Sequence, residues 1–555
     1  MSPASVAAPV LPTANVTPAL KALDFAAKDG THVRGTVYLP HDPQPGERFG
    51  VVAQISPYFH ESYGIGTGDL YGFAGDFFGV GMLLGHGFAY VAANVPGTGD
   101  SSGCFEIGGA DEQRELAEFV DWIGEQPWSN GNVGVMGVSY DGTTPWEVAI
   151  GAPKHLKTIV PIEGISDFYR YEYQDGAPYY LQGPTFYPRY WVDESFGYDP
   201  LLEQQAPVVD PTHVCALEAT HLAESLTTTE KGVYDSFWQE RNLSAKFSKI
   251  NASVFLVHGL ADWNVKPDNG AVLDLIPGEK MQWWGQWEHN IPWSNTHNKD
   301  WSRPDWNSTI VAWFDHYLDG KANGIPGSLP AVQVQDTDGR WRNETDWPPR
   351  GTTNLTLHLA PGKLQDAPGS GSVTVYAMPT NGLGLPVEGA LAASPAQPSA
   401  TFVSEPLAQD VRVAGMPRLV LGLSADRPGD GHVVVQLYNV TDKGAWWWVD
   451  EGGRGLEQRN GRAQSDAVAP GEAMTVPVDL YPSEAVFHKG ERIALVVLGE
   501  DASWYNANGN EPALTLDLAK SALTLPLLPA GAPAGVDTKA IAASNPYYTP
   551  GTLDR

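Results

Sequence analysis

The sequence predicts an α/β-hydrolase fold with an inserted helical cap, followed by an all-β sandwich. Three observations carry this reading. The hexapeptide Gly137-Val138-Ser139-Tyr140-Asp141-Gly142 follows an apolar run at 132–136 and precedes a helical stretch at 143–151. Strand and helix patterns alternate between residues 22 and 165. Beyond about residue 330 the texture changes to short alternating runs divided by Gly, Pro and Asp turns.

The elements can be justified in order. Asp29-Gly30 marks an early hairpin, and the runs at 49–55 and 88–93 read as buried strands. Leu116, Phe119, Val120 and Ile123 recur at helical spacing between Asp111 and Gln126. The hexapeptide then has the form Gly-x-Ser-x-x-Gly, with the second small residue one position later than in the strict nucleophile elbow. Its glycines let the backbone turn tightly enough to present the serine hydroxyl. The run at 156–162 is the strand after the elbow helix. An interval of about 85 residues, dense in aromatic side chains such as Phe168, Tyr169, Phe186 and Trp191, separates it from the next strand at Ser253. Ordinary αβ loops run about 2–6 residues, so the interval reads as a cap roofing the site, its aromatic residues serving mostly as the cap's own core.

A serine nucleophile on this scaffold needs an acid and then a histidine, each after a later strand. The run at 253–257 leads into His258-Gly259-Leu260-Ala261-Asp262, which puts Asp262 at a strand's C-terminal end. The strand candidate at 281–284 is followed by His289, where the general base belongs. His258 reads as a packed strand-end residue. His60 and His86 precede the nucleophile, and His297 is the rival to His289. One oxyanion donor is expected from the backbone amide of Tyr140. The strand at 49–55 ends in Ser56-Pro57-Tyr58, and on the residues alone Tyr58 reads as packing.

These stretches together carry a resemblance. Pro57-Tyr58, Gly97-Thr98-Gly99-Asp100-Ser101-Ser102-Gly103, Trp122-Ile123, the run from Gln126 to Gly134, the elbow, His258-Gly259-Leu260, the run from Asp262 to Lys266, and His289 occur in order across the catalytic half. They resemble the family of Xaa-Pro dipeptidyl-peptidases and the related cocaine-esterase-like acyl hydrolases. The resemblance implies Ser139, Asp262 and His289 as nucleophile, acid and base, and the Tyr58 hydroxyl as an oxyanion donor beside the Tyr140 amide. It implies a jelly roll for the C-terminal part, serving as a non-catalytic packing domain. Asn94 and Pro96 stand where the family usually has an aspartate and an arginine. The expected activity is a serine exopeptidase releasing Xaa-Pro dipeptides. The alternative is a carboxylic-ester or acyl-amide hydrolase of the cocaine-esterase type. Counting two residues from a free N-terminus requires an anion for the α-ammonium, and Glu163, Asp167 and Glu172 are the candidates.

The hydrolase part is expected to close with a helix near 305–318, one face of which carries Trp306, Ile310, Trp313, Phe314 and Tyr317. The expected organisation is an N-terminal extension (1–21), hydrolase (22–165 and 251–328), cap (166–250) and β-sandwich (329–555). Trp446-Trp447-Trp448 in the sandwich is expected at an interdomain interface, with the active-site mouth or a glycan site as the alternatives. With 42% hydrophobic residues the chain can bury a large core, and no apolar run approaches the length of a membrane span. A net charge of −31 argues against nucleic acid and anionic membranes as partners. Peptides or small acyl compounds are the expected substrates, and the sequence leaves homo-oligomerisation open. The histidines are scattered and no metal-ligand spacing occurs, so neither a metal nor another cofactor is expected. The two cysteines, Cys104 and Cys215, would meet if the cap folds back over the Gly-Thr-Gly loop. A single disulfide and an extracytoplasmic location are therefore expected, with the cytoplasm as the alternative. Residues 1–18 do not read as a signal peptide.

Overall fold

The computed structural model describes residues 18–59, 79–179, 215, 232–268, 270–289, 292, 301–375, 399–429, 431–499, 501, 505, 512–529 and 532–548. His60, His297, most of the expected N-terminal extension and the middle of the cap lie outside the described residues.

The hydrolase half is built from β1 (Ala19–Ala26), β2 (His32–Leu39), β3 (Phe49–Ser56), α1 (Val80–Gly85), β4 (Ala89–Asn94), α2 (Ala110–Gly124), β5 (Ser129–Val138), α3 (Tyr140–Ile150) and β6 (Leu156–Ile162). After the cap come β9 (Ser253–Gly259), β10 (Lys280–Gly285) and α6 (Trp306–Tyr317), then β11 (Val332–Gln335) and β12 (Trp341–Glu344). The ten strands form one sheet in the order β1-β2-β4-β3-β5-β6-β9-β10-β11-β12. From β4 through β11 every pairing is parallel. Every residue of β3 and β9 is buried, as a strand covered by helices on both faces requires. On one face α2 and α3 bring Leu116, Phe119 and Trp146 into a common core, and on the other α1 and α6 bring Leu83, Trp313 and Phe314. This is the α/β-hydrolase architecture expected from the sequence, and all C-terminal strand ends of its parallel part open on one edge.

Two strands lie beyond the expected boundary at 329. Val332–Gln335 pairs in parallel with β10 and Trp341–Glu344 closes against it, so the hydrolase sheet continues to residue 344. The physical reason is the open edge of β10, whose backbone groups need partners that these residues supply. The last helix, α7 (Thr538–Ala543), also returns to this half, placing Ile541 in the core beside Trp313.

Only the flanks of the cap are described. They hold α4 (Phe168–Glu172), the hairpin of β7 (Tyr173–Gln174) and β8 (Ala177–Pro178), and α5 (Ser236–Glu240). Tyr169 packs on Tyr173, Tyr234 and Trp238, and Tyr173 on Trp238, with ring centroids 5.3 to 5.8 Å apart. Instead of forming a core of the cap's own, as expected, Tyr169, Tyr173 and Trp238 join the hydrolase core that holds Leu116 and Trp146.

Among the described residues between 353 and 527 the chain forms a twelve-stranded, predominantly antiparallel β-sandwich. Its long strand Leu514–Leu527 pairs with Thr353–Ala360, Ser372–Val375, Val411–Gly415 and Arg418–Ala425, passing from one layer to the other around a core that includes Phe402, Leu421 and Leu495. The sandwich leans on the cap flanks and the acid loop through Arg462–Asp167 (2.9 Å), Arg454–Asp175 (2.7 Å) and Lys266–Glu451 (3.2 Å). Trp447, 59% exposed, and Trp448 line a cleft of about 720 Å³ whose other side is formed by Trp263 and Trp287 of the hydrolase half, in keeping with the expected interdomain placement.

Cys104 and Cys215 form a disulfide with a Cα–Cα distance of 5.2 Å, across 111 residues of sequence. It ties the loop after β4 to the inserted segment. On the chain-entropy account a loop of this length stabilises the fold by about 5 kcal/mol. Replacing both cysteines with serine should therefore lower the melting temperature measured without reductant. Thiol titration of the denatured, unreduced wild type should find no free thiol, and two free thiols would contradict the bridge.

Candidate active site

Ser139 lies at the end of β5, on the sharp turn into α3. Its backbone adopts φ 65° and ψ −125°, a conformation disfavoured for any residue with a side chain. Two glycines make the turn sterically accessible. A Cβ at Gly137 would lie 2.4 Å from the backbone of Asp141, and one at Gly142 would lie 2.3 Å from the carbonyl of Ile162. The amide of Ser139 donates to the Ile162 carbonyl (3.0 Å), and the Thr144 hydroxyl donates to the Ile55 carbonyl (2.9 Å). The elbow is thus held between β6 and β3, with the serine half-buried at the strand edge.

The loops after β9 and β10 bring the other two groups to it. They are laced by Leu260 N to Gly285 O (2.7 Å) and Ala261 N to Trp287 O (3.2 Å). Oδ1 of Asp262 accepts the amides of Asn264 and Val265 (2.8 and 2.9 Å), which fixes the carboxylate at the strand end. Its Oδ2 lies 2.9 Å from Nδ1 of His289, and Nε2 of His289 lies 3.0 Å from the Ser139 hydroxyl. Asp262 is fully buried, whereas the imidazole keeps 16% exposure. The three side chains form one hydrogen-bonded chain from a buried carboxylate to a reachable hydroxyl, the arrangement in which an imidazole can take a serine proton. His258, the packed neighbour, donates from Nε2 to the Val265 carbonyl (2.8 Å) and stacks on Trp284, and burial holds its imidazole below the ordinary range.

Comparison with known proteins shows the family. Residues 29–290 match the X-Pro dipeptidyl-peptidase (S15 family), and residues 323–543 match the X-Pro dipeptidyl-peptidase C-terminal non-catalytic domain. A Streptomyces avermitilis protein described as a "Putative Xaa-Pro dipeptidyl-peptidase" is 30% identical over 508 residues, covering 80% of this chain and 71% of its own. The Xaa-Pro dipeptidyl-peptidase of Lacticaseibacillus casei is 26% identical, covering 88% and 66%. The chain belongs to the S15 family. Among solved structures, a CocE/NonD family hydrolase from Staphylococcus aureus shares the fold at TM-score 0.73 and 18% identity, covering 92% of this chain and 94% of its own. An α-amino acid ester hydrolase does so at 0.72 and 18%, covering 95% and 100%.

The remaining sequence candidates separate in this S15 member. Tyr140 is buried as the first residue of α3, so its amide belongs to the outward-pointing donors of a helix N-terminus. Tyr58 is half-buried two residues past β3, on the strand edge that also carries Ser139, with its amide on the Ser56 hydroxyl (3.0 Å). Asp167 caps α4 and pairs with Arg462 at 2.9 Å, so a cation already occupies it. Glu172 is buried at the end of α4, whose Tyr171 reaches Asn264 of the acid loop (3.1 Å). Glu163 is fully buried with Oε2 3.5 Å from His289 Nδ1, on the side of the imidazole away from Ser139. Asn94 packs against Gly99 in the loop after β4, a structural position as expected.

Sequence reasoning missed a buried pair beneath the elbow. The Tyr140 hydroxyl donates to Glu112 at 2.7 Å, and Glu112 adjoins Glu147 of α3. The signal was Glu112 four residues before Leu116, on the face of α2 that also carries Phe119 and Ile123. Burial, then the neighbouring carboxyl, hold Glu112 well above the usual range, and burial pushes Glu147 up to about 8. Burial likewise raises Glu115 to about 9 and Glu484 to about 7. Each group binds its proton more firmly folded than unfolded, so its stabilisation is complete below about pH 4.5 and is lost as pH rises toward the folded value. The melting temperature should consequently fall between pH 5 and pH 8.5, with a shallower decline in Glu147→Gln. A scan that rises over this window would contradict the assignment.

Proposed function

We propose that this chain is a serine exopeptidase that releases Xaa-Pro dipeptides from peptide N-termini. The observation that carries the reading is the hydrogen-bonded chain Ser139–His289–Asp262 at the strand edge of an S15-family chain. His289 Nε2 takes the Ser139 proton as the hydroxyl oxygen attacks the carbonyl carbon of proline. Asp262 keeps Nδ1 protonated and offsets the imidazolium charge. The oxyanion that forms is met by the Tyr140 amide and the Tyr58 hydroxyl. His289 then protonates the departing amine, and water repeats the sequence on the acyl-enzyme. Glu172, buried at the end of the helix whose Tyr171 reaches the acid loop, is the carboxylate proposed for the substrate α-ammonium. The β-sandwich acts as a non-catalytic jelly roll that braces the cap flanks. The Cys104–Cys215 disulfide supports an extracytoplasmic location.

The test compares Gly-Pro-p-nitroanilide, its N-acetylated form and p-nitrophenyl butyrate, each with wild type and Ser139→Ala. Cleavage restricted to the free-amine anilide, with kcat reduced at least about 10⁴-fold in the variant, is the expected result. Ester turnover without anilide cleavage would instead establish an acyl hydrolase working with the same three side chains.

A further inference from the structure

His289 faces more than one acid. Its Nδ1 lies 2.9 Å from Asp262 Oδ2 and 3.5 Å from Glu163 Oε2, and these three ligand atoms all lie within 4.8 Å of one another. The two carboxylates come from different strands, Asp262 from the loop after β9 and Glu163 from the residue after β6. Glu163 is held there by its own backbone. Its amide donates to the Val257 carbonyl of β9 (2.9 Å), and its φ is 50°, in the region that favours glycine. A fully buried acid in a left-handed conformation is costly on both counts. What an acid adds at this position is charge beside the imidazole.

We propose that Glu163 is a positioning residue for the reaction, a second acid behind His289 that works with Asp262. At 3.5 Å it does not take the Nδ1 proton in a direct hydrogen bond, which goes to Asp262. Its carboxylate reinforces the same choice of tautomer, proton on Nδ1 and lone pair on Nε2 toward Ser139. It also stabilises the imidazolium formed when Ser139 is deprotonated. Because Asp262 spends Oδ1 on two backbone amides, the second carboxylate supplies charge that Asp262 alone delivers through one oxygen. This assignment replaces the expectation that Glu163 binds the substrate ammonium, and it rests on the reading of His289 as the base.

The experiment measures kcat and KM for Gly-Pro-p-nitroanilide and p-nitrophenyl butyrate with Glu163→Gln, Glu163→Asp, Asp262→Asn, Asp262→Asn/Glu163→Gln and Ser139→Ala. Glu163→Gln should lower kcat about tenfold on whichever substrates wild type turns over, with KM unchanged. Glu163→Asp should recover most of that loss, and the Glu163→Gln loss should be larger in the Asp262→Asn background, where Glu163 is the remaining acid. A rise in KM confined to the free-amine substrate, with kcat unchanged, would overturn the proposal in favour of an ammonium anchor. Equal losses in Glu163→Gln and Glu163→Asp, accompanied by lowered melting temperatures, would reduce Glu163 to a structural role. An unchanged Glu163→Gln beside an inactive Ser139→Ala overturns only the role of Glu163. Undiminished turnover by Ser139→Ala would overturn the underlying reading of the site as well.

Discussion

The site depends on one backbone contact, the close approach of the elbow to the end of β6. Gly142 and Gly164 meet there with no room for a side chain on either, since a Cβ on Gly164 would lie 2.0 Å from the Gly142 carbonyl. The Ser139 amide bonds to Ile162 on one side of this contact, and the Ile165 amide bonds to the Thr143 hydroxyl on the other. That lacing keeps Ser139 in a conformation costing of order 1–3 kcal/mol, which the surrounding strands over-determine. The same junction turns Glu163 inward, so the geometry that exposes the serine also delivers a carboxylate to the back of its histidine.

The hydrolase half was readable because its signals are local. The buried strands are continuous apolar runs, and the helix at Trp306–Tyr317 carries its aromatic side chains on the predicted face. The order serine, acid, histidine along the chain was enough to choose Asp262 and His289, which the fold brings within hydrogen-bonding reach across 150 residues. What was not readable is non-local. The extension of the sheet by β11 and β12 depends on an open edge at β10, and two short strands after a loop resemble the sandwich strands that follow them. Glu163 was visible as an acid near the site, but the sequence does not say on which side of the imidazole it falls. The pairing of Glu112 with Tyr140 was hidden for the same reason, as it joins the first turn of one helix to the first residue of another.

The second domain bears on the site through the cap flanks rather than by direct contact with Ser139. Arg462 neutralises Asp167, and Gln174 accepts from the Gly453 amide at 2.6 Å while donating to the Asp479 carbonyl at 2.8 Å. These contacts fix α4 and the adjacent hairpin, and α4 in turn touches the acid loop through Tyr171 and Asn264. The disulfide fastens the other wall by joining the loop after β4 to the inserted segment.

The central claim is that His289 activates Ser139 as the nucleophile. It is tested most directly by fluorophosphonate labelling followed by mass mapping of the modified peptide, in wild type and in His289→Ala. A single phosphonylated residue at Ser139, lost or slowed by orders of magnitude in the variant, is what the account predicts. A label on another serine, or labelling of Ser139 that is indifferent to His289, would contradict it.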